Sequence, residues 1–166
     1  GRYFTLDNAN HARHEVIATH YAERNPDLVI GRTMADVSDH GNAAQVFPIT
    51  HNPRFEMLSE VGQTTSTCSL TFELSGAWPE RFAGSALVAE PVHNLVHRDV
   101  YVPKGPTFTA RRGLERQEFL ASTDAWFRPV HLYSAPDGAL LVVDYYRRVI
   151  EHPEWTASDL HADSPA

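Results

Sequence analysis

One cysteine and one lysine stand in this chain of 166 residues. With Cys68 alone, no internal disulfide, thiolate zinc cluster or CxxCH haem attachment can form within these residues. Its setting, "TSTCSLTF", is an apolar strand pattern, which favours a small buried residue over a nucleophile. Lys104 lies between Pro103 and Gly105 in a turn, against thirteen arginines elsewhere. A Walker P-loop is therefore excluded, and Schiff-base chemistry would rest on that one side chain. Positive charge is short overall. Lys and Arg number 14 against 21 Asp and Glu, for a formal charge of -7, so no nucleic-acid partner is expected. No apolar run reaches the roughly 18 residues of a membrane span, and the first residues do not read as a signal peptide. Helical periodicity is scarce as well: only "RRGLERQEFL" (111–120) and "PEWTASDL" (153–160) offer short stretches of it.

What the chain does have is period-two alternation. At 42% hydrophobic and 21% charged it can bury one ordinary core. Strands are expected over 2–8, 14–21, 45–50, 68–74, 85–91, 94–103, 127–135 and 139–146, with Pro- and Gly-rich turn signals between them. Short strands of this kind build a sandwich, a barrel or a propeller. One regularity favours the propeller. In "YFTLDNANHARHEVIATHY", "ALVAEPVHNLVHRDVYV" and "LLVVDYYRRVIEH" an apolar strand ends in a polar cluster and a second strand follows at once. That is the pattern of the second strand, turn and third strand of a four-stranded antiparallel blade. A first strand precedes two of the three, "CSLTFEL" and "FRPVHLYSA". The expected fold is all-β, a β-propeller segment of about three blades. Residues 1–52 would be an incomplete blade with a long insertion, 64–112 a blade, 119–153 an incomplete blade and 154–166 a tail. Closed propellers use about 4–8 blades, so the remainder, from the same polypeptide or a companion chain, is an expected partner.

In that geometry the polar clusters share one rim. Asp7, Asn10, His11, Arg13 and His14 come from the first unit, and Glu90, His93 and Asn94 from the second, with Thr64 to Thr67 leading into it. The third unit adds Asp144, Tyr146 and Arg147, with Asp124, Trp126 and Arg128 from "STDAWFRP". Plainer readings stand beside these. Asp144 can cap a turn, Trp126 and Phe127 can be core, and Arg147 and Arg148 can pair with Asp124 and Asp144. Ten histidines include His11 and His14 three apart, and His93 and His97 four apart, but no HExxH helix motif. Scattered histidines of this kind are usually surface or hydrogen-bonded residues. A metal-dependent hydrolase built on His11, His14, Asp39 and His93 ranks below the other readings. "SDHG" (38–41) reads as a turn within the insertion.

Three stretches carry a family resemblance: "FLASTDAWFRPVHLYSAPDGALLVVDYYRRVIEHPEW", "LVAEPVHNLVHRDV" and "FTLDNANH". Together they resemble the large membrane-bound dehydrogenases whose propeller is similar to the soluble quinoprotein glucose and sorbosone dehydrogenases, often fused to a c-type cytochrome domain. The resemblance covers most of the chain apart from residues 25–42. It implies a periplasmic or exported oxidoreductase acting on sugars or other polyols, with any membrane association supplied by regions outside this chain. It also implies pyrroloquinoline quinone (PQQ) and calcium as cofactors, a c-type haem lying outside these residues, and a cytochrome as electron acceptor. Under it, His11 or His97 would be the base, and Arg98 or Arg128 would stabilise developing charge. Asn10, Glu90, Asn94, Asp124, Trp126, Asp144 and Arg147 would face the cofactor, and the family motifs continue through Glu151 and His152. The alternative is a non-catalytic propeller module that binds carbohydrate or protein through its polar rim.

Overall fold

Alternating side chains demand pairing partners for the backbone between them, and in the computed structural model they find them in antiparallel neighbours. Residues 2–38, 41–50 and 61–150 are described. The first sheet has the order β1 (Phe4–Asp7), β2 (Asn10–Glu15), β3 (Met34–Asp36). The second runs in chain order through β4 (Cys68–Phe72), β5 (Ser85–Glu90), β6 (Leu95–Lys104) and β7 (Thr107–Arg112). β7 pairs the C-terminal half of β6, and the short β8 (Leu120–Ala121) takes the same edge at Leu95 and Val96. β9 (Pro129–Ser134) and β10 (Leu140–Asp144) make the third sheet. Among the described residues helix is limited to one turn, α1 (Thr19–Ala22), and one 3-10 turn at Glu80–Phe82. Over the described residues the fold is all-β and antiparallel, and the three sheets there do not close on one another.

Register decides what the central sheet shows to each neighbour. Val88 sits opposite His97, Ala86 opposite Asp99, and Tyr101 opposite Ala110. Val88, Glu90, His97, Asp99, Tyr101, Ala110 and Arg112 therefore share one face, while Leu87, Ala89, Val96 and Arg98 share the other. The first face meets the first sheet. There Ala12, Val37 and Ala110 are buried with Phe4, Leu70, Tyr101 and Phe108 packed around them. The second face meets β9, where Leu87, Ala89, Val96 and Leu132 form a core bounded by Trp78, Phe119, Leu140 and Val142. Burying each large aliphatic side chain there stabilises the fold by about 1.5–3 kcal/mol. Hydrogen bonds tie the layers: the Val37 N–H donates to Ala12 O (3.1 Å), the Ala110 N–H to Val37 O (2.7 Å), and Thr71 Oγ1 to Leu132 O (2.9 Å).

Two glycines are required by their positions. Gly138 closes the β9–β10 hairpin at φ +84°, a conformation that other residues adopt only with strain, and its carbonyl accepts from Trp78 Nε1 (2.6 Å). Gly113 follows β7, where a Cβ would sit 2.9 Å from Arg98 Cγ.

β4 pairs with β5 and β9 with β10, so the two strands expected to come first each lie beside the strand that follows. Several boundaries differ from the sequence expectation. The strand expected over 14–21 runs instead from Asn10 to Glu15, and Thr19–Ala22 turns into helix. Residues 45–50 form no strand, only an isolated bridge between Gln45 and Gln63, since Pro48 removes a ladder donor. The helix expected over 111–120 is absent: Arg111 and Arg112 end β7, a loop follows, and Leu120 begins β8. None of the expected strands covers β3, inside the supposed insertion, or β7, at the end of the 64–112 unit. Residues 147–150 after β10 are not strand. The helix expected over 153–160, together with Asp39, Glu151 and His152, lies outside the described residues.

Candidate functional site

Where β2 crosses the first face of the central sheet, the His11 and His97 rings lie 4.4 Å apart at 31°. Both residues are 0% exposed. One nitrogen of each and one carboxylate oxygen of the buried Asp99 lie within 4.8 Å of one another. Asp99 stands two residues beyond His97 on β6, so strand alternation aims both side chains the same way. His97 Nε2 is 3.0 Å from Asp99 Oδ1, and its Nδ1 is 2.7 Å from Oε2 of Glu118, whose side chain is buried. Arg112 Nη1 donates to Glu118 Oε1 (2.9 Å), as does the Phe47 N–H (3.0 Å). Arg112 also donates to Gln45 O and covers the Phe47 ring at 5.0 Å. Burial alone would push the His97 imidazole down, but hydrogen bonds and charge from Asp99 and Glu118 win and raise it above its ordinary value. Asp99, His97, Glu118 and Arg112 are thus joined in one hydrogen-bonded chain.

The His11 tautomer follows from its partner. Thr64 Oγ1 donates its only proton to Ala44 O (2.9 Å), so it accepts from His11 Nε2 (2.9 Å). His11 is thereby fixed with its proton on Nε2 and its lone pair on Nδ1.

The β5–β6 turn is organised by Glu90. Its Oε1 accepts from the Thr65 and Ser66 N–H groups (3.2 and 3.1 Å), and Oε2 from the His93 N–H (2.7 Å) and His93 Nδ1 (3.0 Å). His93 Nε2 accepts from the Gly62 N–H (3.1 Å), so the His93 proton is on Nδ1. Burial pushes the Glu90 carboxyl up, yet the hydrogen bond from the His93 side chain and those from the backbone donors hold it below its ordinary 4.5. A carboxyl whose folded pKa is depressed contributes stability above its unfolded value and loses it as pH falls through the folded pKa. Between about pH 5 and pH 3, urea midpoints of the wild-type protein should therefore fall more steeply than those of Glu90→Gln. Parallel curves would show that Glu90 is not held low.

Arg98 and Arg128 do not face a cleft. Arg98 lies on the opposite face of β6 and donates to Ser85 Oγ (2.6 Å), Gly113 O (3.2 Å) and Arg81 O (2.6 Å), with Phe82 beneath it. Arg128 donates to Pro91 O (2.9 Å), Val92 O (3.0 Å), Arg147 O (3.1 Å) and Arg148 O. Both guanidiniums satisfy backbone carbonyls of turns, which is a positioning task rather than charge stabilisation of a substrate. Asn94 takes a left-handed φ of 57° in the β5–β6 turn, and its Nδ2 reaches Phe127 O. Asn10 is buried, with Nδ2 bonded to Asp36 and Asn42. His11 and His97, being fully buried, likewise present no base to a bound substrate in this arrangement.

The third cluster is open to solvent. Trp126 is 47% and Tyr146 59% exposed, with ring centroids 5.8 Å apart. Asp124 Oδ1 accepts the Trp126 N–H (2.9 Å). Asp124 charge and a hydrogen bond raise the Tyr146 phenol above its usual value. Asp144 Oδ1 caps the turn, accepting the Arg128 N–H (2.8 Å) and the Tyr146 N–H (2.9 Å). It thereby holds Tyr146 at φ 45°, a strained backbone for an aromatic residue. Trp126 is thus surface rather than core. Arg147 joins the group through its carbonyl on Arg128.

These residues fit some groups and not others. Calcium takes about 6–8 oxygen ligands. The buried trio offers two imidazoles and one carboxylate, while Glu90 is already ringed by N–H donors. An anionic quinone needs cations in an open cleft, and Arg98 and Arg128 are engaged elsewhere. Neither PQQ nor calcium is matched by the described residues. Burial, with a contribution from Glu90, pushes the Cys68 thiol up to about 11, so it is no nucleophile at neutral pH. The hydrolase grouping does not assemble either: His14 packs on Phe4 and bonds Thr107 Oγ1 (3.0 Å), while His93 serves Glu90. Sequence reasoning missed Asp99, Glu118 and Arg112. The H-x-D spacing on β6 was a usable signal for the first; nothing local marked the other two. Among the described residues no helix is long and apolar enough to cross a membrane.

A family model described as a domain of unknown function (DUF7133) matches residues 1–165. No curated protein and no solved structure matches the chain.

Proposed function

We propose, from the premise that the chain belongs to the DUF7133 family, that it forms part of a β-propeller in an exported or periplasmic oxidoreductase that takes sugars or other polyols. The four-stranded meander β4-β5-β6-β7, flanked by sheets that each supply part of such a unit, supports the propeller. The observation that carries the substrate class is the exposed Trp126–Tyr146 pair beside Asp124. Aromatic faces take the C–H face of a sugar ring, and a carboxylate accepts its hydroxyl protons. The strained φ at Tyr146, maintained by Asp144, fits a ring placed for contact rather than for packing. Electrons would leave to a quinone or haem held by residues beyond those described, with a cytochrome as acceptor. No step is assigned to His11 or His97.

The test uses the intact protein with a panel of aldoses and polyols, a redox dye, and added PQQ and calcium. Dye reduction is expected, with Trp126→Ala raising KM about tenfold at little cost in kcat, the mark of lost uniform binding. No reduction with any member of the panel overturns the oxidoreductase reading. A second reading, a non-catalytic module that binds carbohydrate through the same shelf, is favoured by the complete burial of both candidate bases. Calorimetric polyol binding that needs Trp126, without turnover, would select it.

A further inference from the structure

We propose that His11, His97 and Asp99 bind a divalent first-row transition ion, with zinc as the simplest occupant, which pins β2 to β6 across the sheet interface. The inference does not depend on the polyol reading.

Three observations meet here. One ligand atom from each residue lies within 4.8 Å of the other two, and all three residues are buried. The donor set is two imidazoles and one carboxylate, which suits zinc and its first-row neighbours and not calcium or magnesium. Each imidazole is also oriented from behind. His11 donates Nε2–H to Thr64 Oγ1, which is itself fixed by Ala44 O. Glu118 Oε2 lies 2.7 Å from His97 Nδ1. A metal-binding histidine characteristically gives its other ring N–H to a carboxylate, carbonyl or similar acceptor, which sets the tautomer and raises ligand basicity. Both histidines here have that arrangement, and it leaves Nδ1 of His11 and Nε2 of His97 as the coordinating atoms.

His97 Nε2 already stands 3.0 Å from Asp99 Oδ1, within a few tenths of an ångström of the about 3.4 Å that separates two ligand atoms on a tetrahedral zinc ion with bonds near 2.1 Å. On loading, the His97–Asp99 contact would be exchanged for a bond from each of the two residues to the ion. Asp99 can bind through one oxygen or both. Four elements or connections would be joined through one centre: β2 by His11, β6 by His97 and Asp99, the 61–67 segment by Thr64, and the loop before β8 by Glu118. Such a centre is structural in kind, because no member of the trio meets solvent.

The experiment loads the intact protein with Zn²⁺, removes excess by dialysis against a weak chelator, and measures retained metal. Co²⁺ loading is read in parallel from its visible ligand-field bands. About one zinc per chain is expected, with a cobalt spectrum showing nitrogen and oxygen ligands. That zinc should be lost in His11→Ala and in Asp99→Asn, and affinity should fall about 10–100-fold in Glu118→Gln. His131→Ala, a substitution at an exposed histidine on β9, should keep it in full. Circular dichroism establishes that each variant is folded. Should a variant fail to fold, the wild-type stoichiometry and cobalt spectrum decide alone. A wild-type protein that retains well below a tenth of an equivalent overturns the proposal. So does zinc that persists in both His11→Ala and Asp99→Asn, or that falls equally in His131→Ala.

Discussion

Arg128→Ala should destabilise the protein by about 3–5 kcal/mol, read as a lower urea midpoint at unchanged m. The guanidinium spans two turns that are far apart in sequence. Pro91 O and Val92 O belong to the turn between β5 and β6, while Arg147 O and Arg148 O follow β10. Arg128 is 5% exposed, so water does not readily replace it. Each buried carbonyl left without a donor costs about 1–3 kcal/mol. The four are not additive, because the 147–148 segment can move toward solvent once released. Arg128→Lys should recover less than half of the loss. An ammonium is a compact donor and cannot reach carbonyls on both sides of a planar fork. An alanine variant within about 0.5 kcal/mol of wild type would mean that the carbonyls rehydrate and that the clamp contributes nothing.

This role for Arg128 shows where the sequence was legible and where it was not. "DYYRR" stands out as the polar end of an apolar strand and "STDAWFRP" as the loop that leads into the strand before it, and they do come together. What the pattern could not reveal is direction. Arg128 points inward to carbonyls, while Trp126, two residues earlier, points out. Apolar alternation found β4, β5, β6, β9 and β10 because their buried faces are aliphatic. It shifted β2 onto the more apolar residues 14–21, because Asn10, His11 and His14 are buried polar residues whose partners, Asp36, Thr64 and Thr107, come from other elements. A strand whose inner face is polar carries no period-two hydrophobic signal. β7 failed for a related reason: in "TFTARR" the inner face ends in the half-buried Arg112, whose place there makes sense only once Glu118 is opposite. Residues 111–120 do have helical spacing, but Gly113 N–H bonds to Arg98 O and Phe119 N–H to Val96 O, and these contacts with β6 replace the helical ones. Local propensity lost to tertiary pairing.

Glu118 carries the second large expectation: alanine there should also cost about 3–5 kcal/mol, the usual result of breaking a buried charge pair from one side. Its two oxygens divide the work. Oε1 accepts from Arg112 and from the Phe47 N–H, and Oε2 holds His97. Without it, Arg112 Nη1 and His97 Nδ1, only 3.3 Å apart, are left as neighbouring donors, with Asp99 as the acid that His97 keeps among the described residues. Glu118→Gln should rescue little despite its matching shape. An amide offers one accepting oxygen and one NH₂, so whichever way it turns, a donor meets a donor. The decisive measurement is a double-mutant cycle with Arg112→Met, run in the presence of a chelator so that the result belongs to the side-chain network. Removing both members also removes the uncompensated guanidinium. The double variant should therefore be more stable than the sum of the single losses predicts, by about 1 kcal/mol or more. Losses that add to within about 0.5 kcal/mol would mean that the two residues act independently, and the charge chain from Arg112 to Asp99 would then be a geometric coincidence rather than a unit.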